Sequence, residues 1–430
     1  MEARKNILFL THRVPFPPNK GDKIRTFHHL DWLSRSHNVH CACFVDNPHD
    51  RIHAIALKRW CVEVAALPWS RLEGVVRAFS RWPRGATLTC AAYDDARMRR
   101  QLAAWSEAID FDVVTAFSAC MAPYALAVRA KRRVLDLCDV DSEKWLDFAR
   151  RTSIPTSLLY RAEGRRLRAL ERALVDKFDA TLVITERERA LLDAAGRGGV
   201  IHVVPNGVDL PASSPPAPSR RGPIICFVGA MDYRPNIEGI EWFVRRAWPS
   251  IRGSVPNAKL LIVGRNPAGA VRRLARVPGV IITGEVDDPR KFLAASRLAI
   301  APLFVARGLQ NKVLEAMAMR RPVVATQGVA DSLGVDSGYH VLVAESAAEF
   351  VGQVVGLCRE DRRCDELGEA GYRYVAAGHG WTQALALYER LLLGKASPKA
   401  YTMLVRTSAQ TKSGPILRPI ISSRTTSDMI

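Results

Sequence analysis

Short apolar runs alternate with longer stretches of helical period along almost the whole chain, and this restricts the fold more than any other feature. Residues 7–10, 39–45, 113–117, 134–137, 180–184 and 201–204 are strand-like in the first half. Residues 224–228, 259–263, 280–283, 298–301, 323–325 and 340–343 follow in the second. Continuous apolar runs this short suit strands covered on both faces, and intervening segments such as 237–251 and 290–295 carry the pattern of covering helices. The expected fold class is α/β, with two Rossmann-like, doubly wound parallel sheets.

The alternation breaks once. After Pro205-Asn206-Gly207-Val208-Asp209, residues 211–222 are rich in proline, serine and alanine and keep no apolar period, which marks a linker. The expected organisation is a domain over 1–210, the linker 211–222, a second domain over 223–375, and a helix over 376–396 returning to the first domain. A Ser-, Thr-, Lys- and Arg-rich tail over 397–430 is expected to be disordered. Ligands bind beyond the carboxyl ends of strands in open parallel sheets, so two such domains facing each other make a cleft.

Of 430 residues, 62 are Lys or Arg and 43 are Asp or Glu, a net charge of +19 that favours an anionic partner. No aromatic-basic nucleic-acid module stands out, so nucleic acid is not expected. No run of eighteen apolar residues occurs, which excludes a membrane-spanning helix. Nine cysteines without CxxC pairs point to reduced thiols in a cytoplasmic protein.

Several loops have the chemistry to hold an anion. Arg307-Gly308-Leu309-Gln310-Asn311-Lys312 leads into a helix, and a helix start exposes free N–H groups that suit a phosphate. Asn311, Lys312 and Glu315 share one helix face, placing a cation and a carboxylate together. The same spacing also describes an ordinary salt-bridged helix start. Gly229 and Gly264 each end a strand, with Arg234 near the first as a cation able to reach in. Gly21 and Asp22 open a helix after the first strand, with Arg25 beside them. Asp139 and Asp141 follow the fourth strand, where one of them would orient an acceptor hydroxyl or take its proton, or the cluster would hold a divalent metal, or Asp141 or Ser142 would cap the next helix. Trp69, Leu72, Val76 and Phe79 fall on one helical stripe with Trp82 beyond it, edged by arginines. Such a face suits an anionic membrane or packs on its own domain.

The set Val204-Pro205-Asn206-Gly207-Val208-Asp209, Phe227-Val228-Gly229, Leu261-Ile262-Val263-Gly264 and Lys312-Val313-Leu314-Glu315-Ala316-Met317-Ala318 with Pro322-Val323-Val324-Ala325-Thr326 resembles the family-4 type glycosyltransferases. With Asp232-Tyr233-Arg234-Pro235-Asn236 added, the chain is similar to sugar transferases of bacterial exopolysaccharide gene clusters of the PEP-CTERM/exosortase type. The resemblance implies a GT-B fold, a nucleotide diphosphate sugar on the second domain and a glycan or polyprenyl-diphosphate-linked acceptor on the first. It implies metal-independent transfer with retention, no cofactor, and a cytoplasmic protein able to sit on the inner membrane face. Glu315 matches the glutamate that contacts the donor ribose, and Lys312 with Gly308, Gln310 and Asn311 falls beside the diphosphate. The family's other motif glutamate is replaced by Arg307, and its usual phosphate arginine by Ala230. Asp139, Asp141, Arg307 and Lys312 are the expected catalytic set. The competing expectation is a nucleotide-sugar or phosphoglycan binding protein that has lost transfer.

Overall fold

A computed structural model describes residues 3–18, 21–193, 199–211, 223–304 and 310–395. Two separate parallel sheets form. The first runs β3-β2-β1-β4-β5-β6-β7, from β1 (Asn6–Thr11), β2 (Asn38–Val45), β3 (Glu63–Pro68), β4 (Phe111–Phe117), β5 (Ala130–Cys138), β6 (Ala180–Val183) and β7 (Ile201–Val203). The second runs β10-β9-β8-β11-β12-β13, from β8 (Ile224–Val228), β9 (Lys259–Val263), β10 (Val280–Gly284), β11 (Leu298–Ala301), β12 (Val323–Ala325) and β13 (Leu342–Val343). Both are doubly wound, and the α/β expectation holds. The order reverses between β1 and β4 and between β8 and β11, which sets a crevice at each of those strand ends.

Two local expectations fail. β3 escapes the sequence reading because Val64-Ala65-Ala66-Leu67 is a small-residue edge strand, only partly buried. Residues 237–251 are not one helix. Arg234–Arg246 ends at Ala247, and Trp248–Ser254 restarts with Pro249 in its first turn, because proline cannot donate inside a continuous helix.

The helix Trp381–Leu392 packs on the first sheet rather than the second. Leu387, Tyr388, Leu391 and Leu392 are buried in the core beside Ile7, Phe9 and Leu30. Burial of each such side chain stabilises by about 1.5–3 kcal/mol. Its ring contacts run onto the helix Gly21–Ser34: Trp381 stacks on His28 at 4.0 Å and Tyr388 on His29 at 3.7 Å. Gly207 lies so close to the Trp381 backbone that no Cβ fits there. The chain segment leaving the first sheet is therefore clamped by the chain's last described helix. The 397–430 tail and residues 212–222 of the linker lie outside the described residues.

Candidate active site

The second-sheet crevice is built from glycine backbone and one lysine. A Cβ on Gly229, just past β8, would stand 2.6 Å from Asn236 Nδ2 and 3.3 Å from Lys312 Nζ and would push both side chains aside, so glycine keeps them in place. Gly264, past β9, packs directly on the Gly229 carbonyl. Gly239 lets the helix Arg234–Arg246 close on the Pro302 carbonyl past β11. Lys312, in the first turn of the helix Asn311–Ala318, donates to Asn236 Oδ1 at 2.5 Å and lies 5.4 Å above the Phe227 ring. Asn236 in turn donates to the Ala230 carbonyl at 2.9 Å.

Lys312 and Glu315 lie on the helix face that their spacing requires, while Leu314, Met317 and Ala318 are buried in the core. Both charged groups are half-buried. Burial draws the Lys312 ammonium down to about 8 and pushes the Glu315 carboxyl up to about 7, against the opposing pull of Arg290. Each ion is short of solvation and gains from a ligand: Lys312 from phosphate charge, Glu315 from hydroxyl donors. Arg290 itself bonds Asp209 at 2.9 Å, tying the segment past the first sheet to the second. Gln310 stands at the N-cap position of the helix without a side-chain cap bond. Asn311 Oδ1 is buried with no partner among the described residues.

Arg234 is not the cation at Gly229. Its Nε donates to Glu238 Oε1 at 2.5 Å, one turn along the same exposed helix face, and Asn236 occupies the inward position instead. Helix geometry explains this: residue 234 falls on the solvent side and residue 236 on the strand side. Arg307 and Gly308 lie outside the described residues.

The first-sheet crevice has the opposite character. Asp22, in the first turn of Gly21–Ser34, accepts from Arg13 at 2.9 Å and lies 3.6 Å from His12 Nε2. Burial would raise its carboxyl, but His12 and Arg13 hold it below the usual range. His12, missed in the sequence reading, follows β1 directly. Its ring stacks parallel to Phe117 at 5.9 Å, meets Tyr93 edge-on, and leaves Nδ1 buried with no hydrogen-bond partner among the described residues. Burial lowers its pKa, so the imidazole is neutral near pH 7. The signal was there: a titratable ring immediately after a strand at a switch point. Asp139 and Asp141 share Lys144, at 3.0 and 2.8 Å. Neither caps the helix Asp141–Arg151. Glu171 accepts from the Ser142 amide and hydroxyl, and Glu188 from the Val140 amide, so carboxylates from other helices close that terminus.

Arg25 does not face the cleft. It is fully buried, with Asp136 at 2.9 and 3.1 Å, the Val204 carbonyl at 2.9 Å and Asn206 Oδ1 at 2.9 Å taking its donors. It knits the first helix, β5 and the segment past β7 together.

The stripe is also redrawn. Trp69 stacks on Tyr93 at 5.0 Å and donates to the Ala92 carbonyl, and Trp82 lies beneath the Arg166 guanidinium at 4.4 Å. Both tryptophans flank the helix Arg71–Arg81 and turn inward. Gly74 and Ala78 line its buried face, while Leu72, Val75, Val76 and Phe79 are exposed. All nine cysteines are free thiols. Among the described residues no three His, Cys, Asp or Glu side chains gather as a metal site, and no helix is long and apolar enough to cross a membrane.

Two doubly wound domains, with a glycine-lined cation site at the switch point of the second, define the GT-B class of fold. Solved structures similar to it share that architecture at low identity. One is Anabaena HepE in complex with UDP and glucose, with a TM-score of 0.61, 15% identity, and 90% of this chain and 99% of that one covered. Another is sucrose-phosphate synthase from Thermosynechococcus elongatus, with a TM-score of 0.62, 17% identity, and 94% and 100% covered. The model of Glycosyltransferase Family 4 matches residues 25–211, and that of Glycosyl transferases group 1 matches residues 222–360. The chain belongs to the family-4 glycosyltransferases of the GT-B type. A Klebsiella pneumoniae protein described as an uncharacterized 44.6 kDa protein in the cps region is 20% identical over 159 residues. That match takes in 35% of this chain and about two fifths, 41%, of the relative's length.

Proposed function

We propose that the chain moves a sugar from a nucleotide diphosphate sugar, held at the β8 and β11 ends, to a hydroxyl of a lipid-linked glycan held at the β1, β4 and β5 ends. The carrying observation is the half-buried Lys312 ammonium beside Gly229, one helical turn from Glu315. In this reading Lys312 and the backbone at Gly229, Gly264, Gln310 and Asn311 stabilise the diphosphate as it leaves, with Arg307 and Gly308 assigned there by sequence. Glu315 accepts from the ribose diol. Asp139 and Asp141 orient the acceptor hydroxyl, with Asp22 and the neutral His12 closing the same side. As the anomeric carbon–oxygen bond to the diphosphate breaks, the acceptor oxygen bonds to the anomeric carbon and its proton passes to the departing diphosphate. Retention, independence of metal and a place in exopolysaccharide synthesis rest on the family resemblance. Anabaena HepE, solved in complex with UDP and glucose, supports the donor class.

The membrane part of this reading moves from the tryptophans to the exposed face Leu72, Val75, Val76 and Phe79. Arg71 and Arg84 flank it, and Phe148, Ile154 and Leu158 are exposed around the neighbouring helix turn. An apolar face ringed by arginine matches an anionic bilayer at the inner membrane surface.

A panel of UDP- and GDP-sugars, read by thermal shift and then by transfer of labelled sugar, tests the proposal. A donor at about 100 times its Kd stabilises by about 2.7 kcal/mol. A flat panel overturns the donor assignment, and binding without transfer or hydrolysis overturns the catalytic one. Replacing Leu72, Val76 and Phe79 with serine should release the protein from anionic vesicles, and retention on them defeats the membrane face.

A further inference from the structure

A cavity of about 250 Å³ opens beside the exposed Arg71–Arg81 helix, away from the glycine-lined crevice. We infer that it receives the first units of an isoprenoid chain, with the chain's diphosphate held at its arginine mouth. The inference rests on the proposed lipid-linked acceptor and names where that lipid sits.

The floor and the mouth differ in chemistry. Cys120, Tyr124 and Ala91 line the floor and are 3%, 1% and 5% exposed, and Pro123 and Leu170 add apolar wall. Arg81 and Arg99 are each 46% exposed and stand at the opening, with Arg166 flattened on Trp82 beside them. The single carboxylate of the lining, Asp94, pairs with both Arg81 and Arg99. Three guanidiniums against one carboxylate leave surplus positive charge at the edge of an apolar slot. That is the complement of an amphiphile with a multiply charged head and a hydrocarbon tail.

Size and position narrow the ligand. An apolar cavity of about 150 Å³ takes a benzene-sized group, so this one takes the start of a chain and not its length. The remainder of the chain needs a bilayer close by, and the helix that ends in Arg81 exposes Leu72, Val75, Val76 and Phe79. Docking that face on a membrane brings the mouth to headgroup depth, where guanidiniums meet phosphates. At its inner end the cavity reaches Cys120, three residues past β4, and β4 pairs with β5, the strand whose end leads into Asp139 and Asp141. The slot therefore lies on the side of the sheet's strand ends from which the acceptor carboxylates come.

Farnesyl diphosphate, titrated calorimetrically into the full chain, tests this. The expected result is binding at least about tenfold tighter than farnesol or inorganic diphosphate, since each supplies half of the complementarity. Arg81→Gln with Arg99→Gln, both half-exposed, should weaken it by about tenfold or more while a cooperative thermal transition is kept. Ala91→Leu should block it by filling the floor; should that variant fail to fold, the arginine pair carries the test alone. Four results overturn the inference: wild-type affinity in the arginine variants, equal binding of inorganic diphosphate, equal binding of dihexanoyl phosphatidylglycerol, or competition by UDP or GDP, which would mean the donor crevice. Loss of the inference with sugar transfer intact leaves the transferase reading standing. A chain that binds no nucleotide sugar ends that reading whatever farnesyl diphosphate does.

Discussion

The two strand-end crevices share a topology and differ in charge. The second sheet presents Gly229, Gly264, Asn236 and Lys312, a surface of backbone, amide and one desolvated cation. The first presents Asp22, Asp139 and Asp141, paired with Arg13 and Lys144, together with a neutral His12. Even the helix start that could have received an anion there, at Asp141, is closed by carboxylates from other helices. One fold, used twice, is set for an anion on one side and for a hydroxyl on the other, and the glycines and carboxylates after the strands make the difference.

Lys312→Ala should break the donor side hardest. Transfer is expected to fall about 10²–10³-fold with nucleoside binding little changed, because the ammonium addresses phosphate charge that grows as the diphosphate leaves. Equal losses in nucleoside affinity and transfer would show that Lys312 holds structure instead. His12→Phe should break the other side, keeping the ring stack while removing the nitrogens. Transfer to the acceptor is expected to fall about 10²-fold at unchanged donor affinity. A matching loss of donor affinity would erase the division between the crevices.

The pH dependence sharpens the comparison. Glu315 is ionised only above about 7 and Lys312 is charged only below about 8 in the ligand-free protein. The kcat/KM for donor should therefore peak between those values, falling at lower pH as Glu315 protonates and at higher pH as Lys312 loses its proton. Lys312→Arg should remove the alkaline limb, and a limb that survives in this variant belongs to another group. Folding carries a separate sign. Burial pushes Glu171 up to about 8 from an ordinary value of 4.5. Its contribution is fully present below the unfolded value and is lost as pH rises through about 8, where a buried carboxylate must ionise beside Asp141. Glu171→Gln should flatten the loss of thermal midpoint across that window, and an unchanged slope would assign it elsewhere. The smallest effect belongs to Arg234→Ala. An exposed pair with Glu238 is worth at most about 1 kcal/mol, and donor affinity should change about twofold or less.

The alternation of apolar runs with helical stretches determined both sheets except the edge strand β3, because strands buried on two faces and amphipathic covering helices leave local patterns. The spacing of Lys312 and Glu315 fixed their common face for the same reason: helical period is a property of neighbours in sequence. Tertiary structure decided what no local pattern carries. Arg234 read as the cleft cation, and only packing against β8 turned it outward and set Asn236 onto Lys312 in its place. Arg25 and Asp136, 111 residues apart, became a buried pair rather than cleft ions. Trp69 left the apolar stripe to lie on Tyr93, while Val75, not singled out in the sequence, joined it at the surface. Side-chain direction and partner choice depend on which distant elements arrive beside a residue, and that is settled by burying the two cores together rather than by any short stretch of sequence.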